Sequence, residues 1–130
     1  MATSPAARKL AGEFDNLLKT GASKTITVES VEFAGVQVSR QGRSLVVSRE
    51  GSNLAHALRG QGRGGVMNAA FEEAAATAAS MNGLKTVTID VGRVTNPGWR
   101  VYLESRGYVM TRLNTPDGGT IISWIKTITL

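Results

Sequence analysis

The chain has no cysteine and a single histidine, His56, and these two shortages remove whole classes of chemistry. Without cysteine there is no disulfide, no thiolate nucleophile and no zinc site with sulfur ligands, and one imidazole excludes a multi-histidine metal centre. Aromatic residues make up only 5% of the sequence, and no aromatic-rich strand offers the stacking surface of an RNA-binding module. No run of about 18 apolar residues is long enough to span a bilayer, and the start lacks the basic-then-apolar order of a signal peptide. The expectation is therefore a soluble, cytoplasmic chain with no membrane partner. Lysine and arginine are spread along the sequence without a block of like charge. Chemistry is left to carboxylates, hydroxyls, backbone groups and a borrowed cofactor.

Glycine, by contrast, is plentiful at 15 of 130 residues, and it is concentrated in Arg59-Gly60-Gln61-Gly62-Arg63-Gly64-Gly65. Such a turn lets the backbone approach a ligand closely and adopt positive φ. The helix that follows adds unpaired N–H groups and the positive end of its dipole, so the stretch is suited to hold a phosphate, with two arginines adding charge. The formal net charge of +5 favours an anionic ligand or partner, although general solubility accounts for it equally well. At this length residues 1–130 read as one domain, able to bury a core without metals or disulfides.

Ser4-Pro5 and the apolar stripe Leu10, Phe14, Leu17 and Leu18, stopped at Gly21, predict a capped amphipathic helix over about 5–20. Residues 24–50 alternate apolar and polar side chains, with breaks at Gly35 and at Gln41-Gly42, and predict two or three antiparallel strands joined by tight turns. Residues 51–58 have no period and read as a loop. A second helix spans about 64–82, its core face carrying Met67, Ala70, Phe71, Ala74, Ala78 and Met81, with Gly83 as its stop. A strand over 85–91 precedes a short helix at about 97–106, and two strands flanking the turn at 114–119 form a closing hairpin. The fold class is α/β (α+β in layout), with a mixed, mostly antiparallel sheet of about six strands. The glycine turn falls at the carboxyl side of a strand, where such sheets bind ligands.

Two spacings give this order a family resemblance. Arg59, Gly62 and Gly64 match the pattern Gln/Arg-x-x-Gly-x-Gly/Ala, and Asn96, Gly107 and Tyr108 fall on Asn-x-x-Ala-x-x-x-Tyr-x-x-x-Gly-Phe. Over residues 58–112, with the final hairpin agreeing in outline, the chain resembles the GNAT superfamily of N-acetyltransferases. The resemblance implies acetyl-CoA as cofactor, its pyrophosphate held by the backbone of Gly60, Gln61, Gly62, Arg63, Gly64 and Gly65 with charge from Arg59 and Arg63. It places Asn96 beside the pantetheine arm, which enters where two neighbouring strands splay apart. It also implies direct attack of an amine on the acetyl carbonyl. The acceptor is left open among a small amine, a protein lysine and aminoacyl-tRNA, as is the oligomeric state.

Two departures limit what carries over. The tyrosine that usually protonates the leaving thiolate aligns with Leu103, and Tyr102, one residue away, lies about 100° round the helix. The front of the domain offers one helix where the family has a strand and two helices. An alternative is thus a non-catalytic binding or assembly module of the same fold, which either retains CoA without turnover or binds an acidic protein or nucleic acid instead. For the general base the candidates are His56, just ahead of the glycine turn, and the carboxylates Glu50 and Glu32 at strand ends. Trp99, Trp124 and Met67 read as core residues.

Overall fold

The computed structural model describes residues 4–29, 31–50, 64–94 and 97–130. Helix α1 (Pro5–Thr20) starts where Ser4 accepts a hydrogen bond from the Ala7 amide and Pro5 occupies the first turn, and it ends at Gly21 in the left-handed region with φ 71°. Both ends follow from local chemistry: the serine satisfies an orphan amide, and glycine adopts the capping conformation without a Cβ clash. Strands β1 (Ser23–Val28), β2 (Val31–Gln41) and β3 (Ser44–Glu50) follow as an antiparallel meander. Helix α2 (Gly64–Met81) then crosses over to β4 (Thr86–Gly92). Helix α3 (Pro97–Ser105) and the hairpin of β5 (Val109–Asn114) and β6 (Thr120–Thr129) complete the chain.

The six strands form one sheet in the order β1-β2-β3-β4-β6-β5. Among the described residues only the β3–β4 pair is parallel, as a crossover through a helix requires. Its register runs without interruption from Ser44 opposite Thr86 to Glu50 opposite Gly92. Leu45, Val47, Val87, Ile89 and Val91 face the helices and are buried, whereas Val46, Ser48, Thr88 and Asp90 face the other way and are half-exposed. Period-two alternation thus divides the sheet into a covered and an open face.

The covered face carries the core. Phe71 of α2 meets Phe14 of α1 edge-on at 4.9 Å and Phe33 of β2 at 5.1 Å between ring centroids. All three rings are fully buried, and burial of each contributes about 2–3 kcal/mol. The small residues Ala70, Ala74, Ala75, Ala78 and Ala79 are buried along α2 and let the helix lie close to its neighbours. Met81, expected on the same face, is instead 64% exposed. It is the last residue of α2, and the chain turns away at Gly83 with φ 70°, leaving no neighbour to cover it.

Gly35 is a second correction. It does not end a strand but sits inside β2 with φ 62°, where the pairing with β1 shifts by one residue between Ile26 opposite Phe33 and Lys24 opposite Val36. The extra residue makes a bulge, so Phe33 and Val36, three positions apart, both face the core. Among the described residues no helix is long and apolar enough to cross a membrane.

Candidate active site

A cavity of about 750 Å³ opens at the carboxyl ends of β3 and β4, within the usual size range of small-molecule sites. Its walls come from β2 (Gly35, Gln37), β3 (Ser48, Glu50), β4 and the residues after it (Asp90, Gly92, Arg93, Val94), Arg100 of α3, and the start of β6 (Thr120, Ile121, Ile122). Strand register sets the polar part of the floor. Gln37 lies opposite Ser48, Ser48 opposite Asp90, and Asp90 opposite Ile125.

Glu50 is held there by two unusual backbone positions. A Cβ at Gly35 would meet Glu50 Cγ at 3.3 Å, so the glycine of the bulge makes room for the carboxylate. On the other side Arg93, a non-glycine residue at φ 55°, brings Nη1 to 3.3 Å from Glu50 Oε1. Left-handed backbone at a residue with a Cβ costs about 1–3 kcal/mol. Arg100 donates from Nε to the Val94 carbonyl at 2.9 Å, which fixes the direction of its guanidinium.

Beneath the covered face lies a polar centre that sequence reasoning missed. Arg49, next to Glu50 but on the opposite side of β3, is only 2% exposed. Its guanidinium lies 4.8 Å from the Phe71 ring centroid and 5.5 Å from that of Phe33. Nη2 donates to Asn68 Oδ1 at 2.6 Å, while Nε and Nη1 have no hydrogen-bond partner among the described residues. Burial brings the pKa of this arginine down to about 10. Glu72 of α2 is better served: Lys126 Nζ donates to both its oxygens at 2.9 and 3.2 Å, and the Tyr108 hydroxyl donates to Oε2 at 3.2 Å. Burial, followed by the nearby Glu72 charge, pushes the Tyr108 phenol well above its ordinary value.

Of the residues assigned from the sequence, Glu50 lines the cavity and Glu32 is exposed on β2. His56, Arg59, Gly60, Gln61, Gly62, Arg63 and Asn96 lie outside the described residues. Gly64 and Gly65 open α2, whose first turn contains no acidic residue and so presents amide donors without a competing anion. A Cβ at Gly65 would meet the Tyr102 hydroxyl at 3.2 Å, and that hydroxyl donates to the Gly65 carbonyl at 3.3 Å. Tyr102 stacks on Trp99 at 4.8 Å. Leu103 is fully buried, so the position aligned with the family tyrosine is part of the core. The splay implied by the resemblance does not begin before Glu50 and Gly92, since β3 and β4 remain paired to those residues.

No family model and no curated protein matches the sequence at a significant level. Solved structures do match. Ard1 from Thermoplasma volcanium superposes with a TM-score of 0.50 at 15% identity, over 95% of this chain and 80% of that one. The ribosomal-protein-S18-alanine N-acetyltransferase from Escherichia coli gives a TM-score of 0.43 at 16% identity, over 96% and 86% of the two chains. At these identities the likeness concerns architecture. The helix order, the parallel β3–β4 ladder and the closing hairpin give this chain the fold of the GNAT N-acetyltransferases.

Proposed function

We propose that the protein is an acyltransferase that moves an acetyl group from acetyl-CoA to an amine by direct attack. The observation that carries this reading is the cavity at the carboxyl ends of the parallel pair, with Glu50 set into it by Gly35 and Arg93. Acetyl-CoA, when bound, supplies the activated acyl carbon. The donor set suits such an anion: α2 begins with two glycines and carries no acid in its first turn. Arg59, the glycine turn through Gly65, and Asn96 are the residues assigned to hold it. Glu50 is assigned as the base that takes the proton from the incoming ammonium at a carboxylate oxygen, directly or through a water. Leu103 has no proton to give, and solvent is assigned to protonate the departing thiolate.

Isothermal titration with CoA tests the cofactor assignment. Arg59→Ala or Gly62→Asp is expected to weaken binding about tenfold or more, the loss expected when a charge-assisted contact or the backbone approach to phosphate is removed. Absence of binding at millimolar CoA would overturn it. Binding without turnover across an acceptor screen would instead identify a non-catalytic module.

A further inference from the structure

Within the cavity, the distribution of charge narrows the acceptor. Two carboxylates (Glu50, Asp90) and two guanidinium groups (Arg93, Arg100) share its walls, so in sum they are neutral. Arg49 also borders the cavity, but its guanidinium lies against Phe33 and Phe71. Among the described residues these four groups thus offer both signs of charge on the cavity wall, which matches a ligand carrying both charges.

The four groups are not equally available. Glu50 is paired with Arg93. Asp90 is half-buried on the open face of β4 and has no hydrogen bond or ion pair among the described residues, so its carboxylate is free to receive an ammonium group. Arg100 is tethered through Nε to the Val94 carbonyl, and its terminal nitrogens have no partner among the described residues; a guanidinium fixed in this way is suited to a carboxylate. Beside them Ile121, 51% exposed and on the face of Asp90 by the β4–β6 register, forms an apolar wall with Val94.

We infer that the acceptor is a free α-amino acid with an apolar side chain, its ammonium received by Asp90, its carboxylate by Arg100 and its side chain by Val94 and Ile121. This rests on reading the cavity as the acceptor pocket of an acetyl-CoA-dependent enzyme. Glu50 removes one ammonium proton, and the freed nitrogen attacks the thioester carbonyl carbon. The C–N bond forms, the C–S bond breaks, and the thiolate leaves and is protonated by solvent while the nitrogen loses its second proton to water. The product is a neutral amide that no longer carries the positive charge recognised by Asp90, so it is released in preference to fresh substrate.

The test measures binding before turnover. Valine, leucine, methionine and phenylalanine are titrated calorimetrically into the protein, each beside its decarboxylated amine and its N-acetyl derivative, without cofactor and then with CoA. At least one amino acid should bind about tenfold or more tighter than both analogues, as loss of a charge-assisted contact implies. Asp90→Asn should erase the preference over the N-acetyl derivative, and Arg100→Gln the preference over the amine. Equal binding of amino acid and amine, or no amino acid binding at millimolar concentration, would overturn the inference. CoA binding without amino acid binding would defeat the acceptor and leave the transferase standing. The reverse result would keep the acceptor site and remove the transferase.

Discussion

Arg49 and Glu50 are consecutive on β3 and point to opposite faces of the sheet, and their surroundings could hardly differ more. Arg49 is sealed between two phenylalanine rings, two of its nitrogens having no partner among the described residues. Glu50 has 38% of its side chain exposed and meets an arginine that is 79% exposed. The covered face keeps its charges through packing and a branched hydrogen-bond network, whereas the open face leaves them where a ligand or water can reach. One strand thereby separates a polar centre that serves the fold from one that is accessible to chemistry.

The largest expected effect comes from the covered face. Glu72→Ala leaves the Lys126 ammonium, the Tyr108 hydroxyl and the Asn68 amide without their common acceptor, and breaking a buried pair in this way costs about 3–4 kcal/mol. Urea denaturation reads this directly; a loss below about 1 kcal/mol would show the centre to be solvated and the comparison mistaken. On the open face Glu50→Gln should leave stability within about 0.5 kcal/mol, because an exposed ion pair contributes little. Its acetyl-transfer rate should fall about a hundredfold with loss of the base. Unchanged kcat with a stable fold would withdraw Glu50 from the mechanism.

Arg49→Met gives the finest comparison. Removing a buried cation with unpaired nitrogens while retaining apolar volume should change stability by no more than about 1 kcal/mol, in contrast to Glu72→Ala. The pH dependence separates Arg49 from its neighbour Tyr108. The arginine pKa is lowered on folding, so its penalty is fully present below pH 10 and is relieved as pH rises from there toward the ordinary arginine value. The Tyr108 pKa is raised, so its stabilisation is complete below pH 10 and fades as pH rises above that value. Alkaline denaturation curves should therefore move in opposite directions for Arg49→Met and Tyr108→Phe. Movement in the same direction would break the assignment.

Local signals made much of the fold legible. The Ser4 cap, Pro5 and Gly21 delimit α1, and the unbroken helix-forming run gives α2 within a residue at its far end. Gly35 was ambiguous for a physical reason, because a glycine inside an alternating run can serve a turn or a bulge equally well. Arg49 shares the parity of Leu45 and Val47, so its burial was implicit in the alternation, but arginine is so seldom buried that parity alone did not reveal it. Glu72 of α2, Tyr108 just before β5 and Lys126 of β6 come together from distant parts of the chain and carry no local pattern. Asp90 looked like one more polar residue on the outer face of a strand, and only the register with Ser48 and the cavity beyond gave it a separate meaning.

The parallel ladder between β3 and β4 also bears on how the chain reaches this state. The first three strands can pair through short turns, as can the last two, but β3 and β4 meet only after the long crossover has closed, at an entropic cost that local hairpins avoid. Their register therefore depends on a non-local contact. A slip of one residue at that seam would turn Leu45 and Val47 outward and drive Glu50 toward the phenylalanines in place of Arg49. The step that joins the two halves of the sheet is thus also the step that decides which charge is buried and which is offered to a substrate.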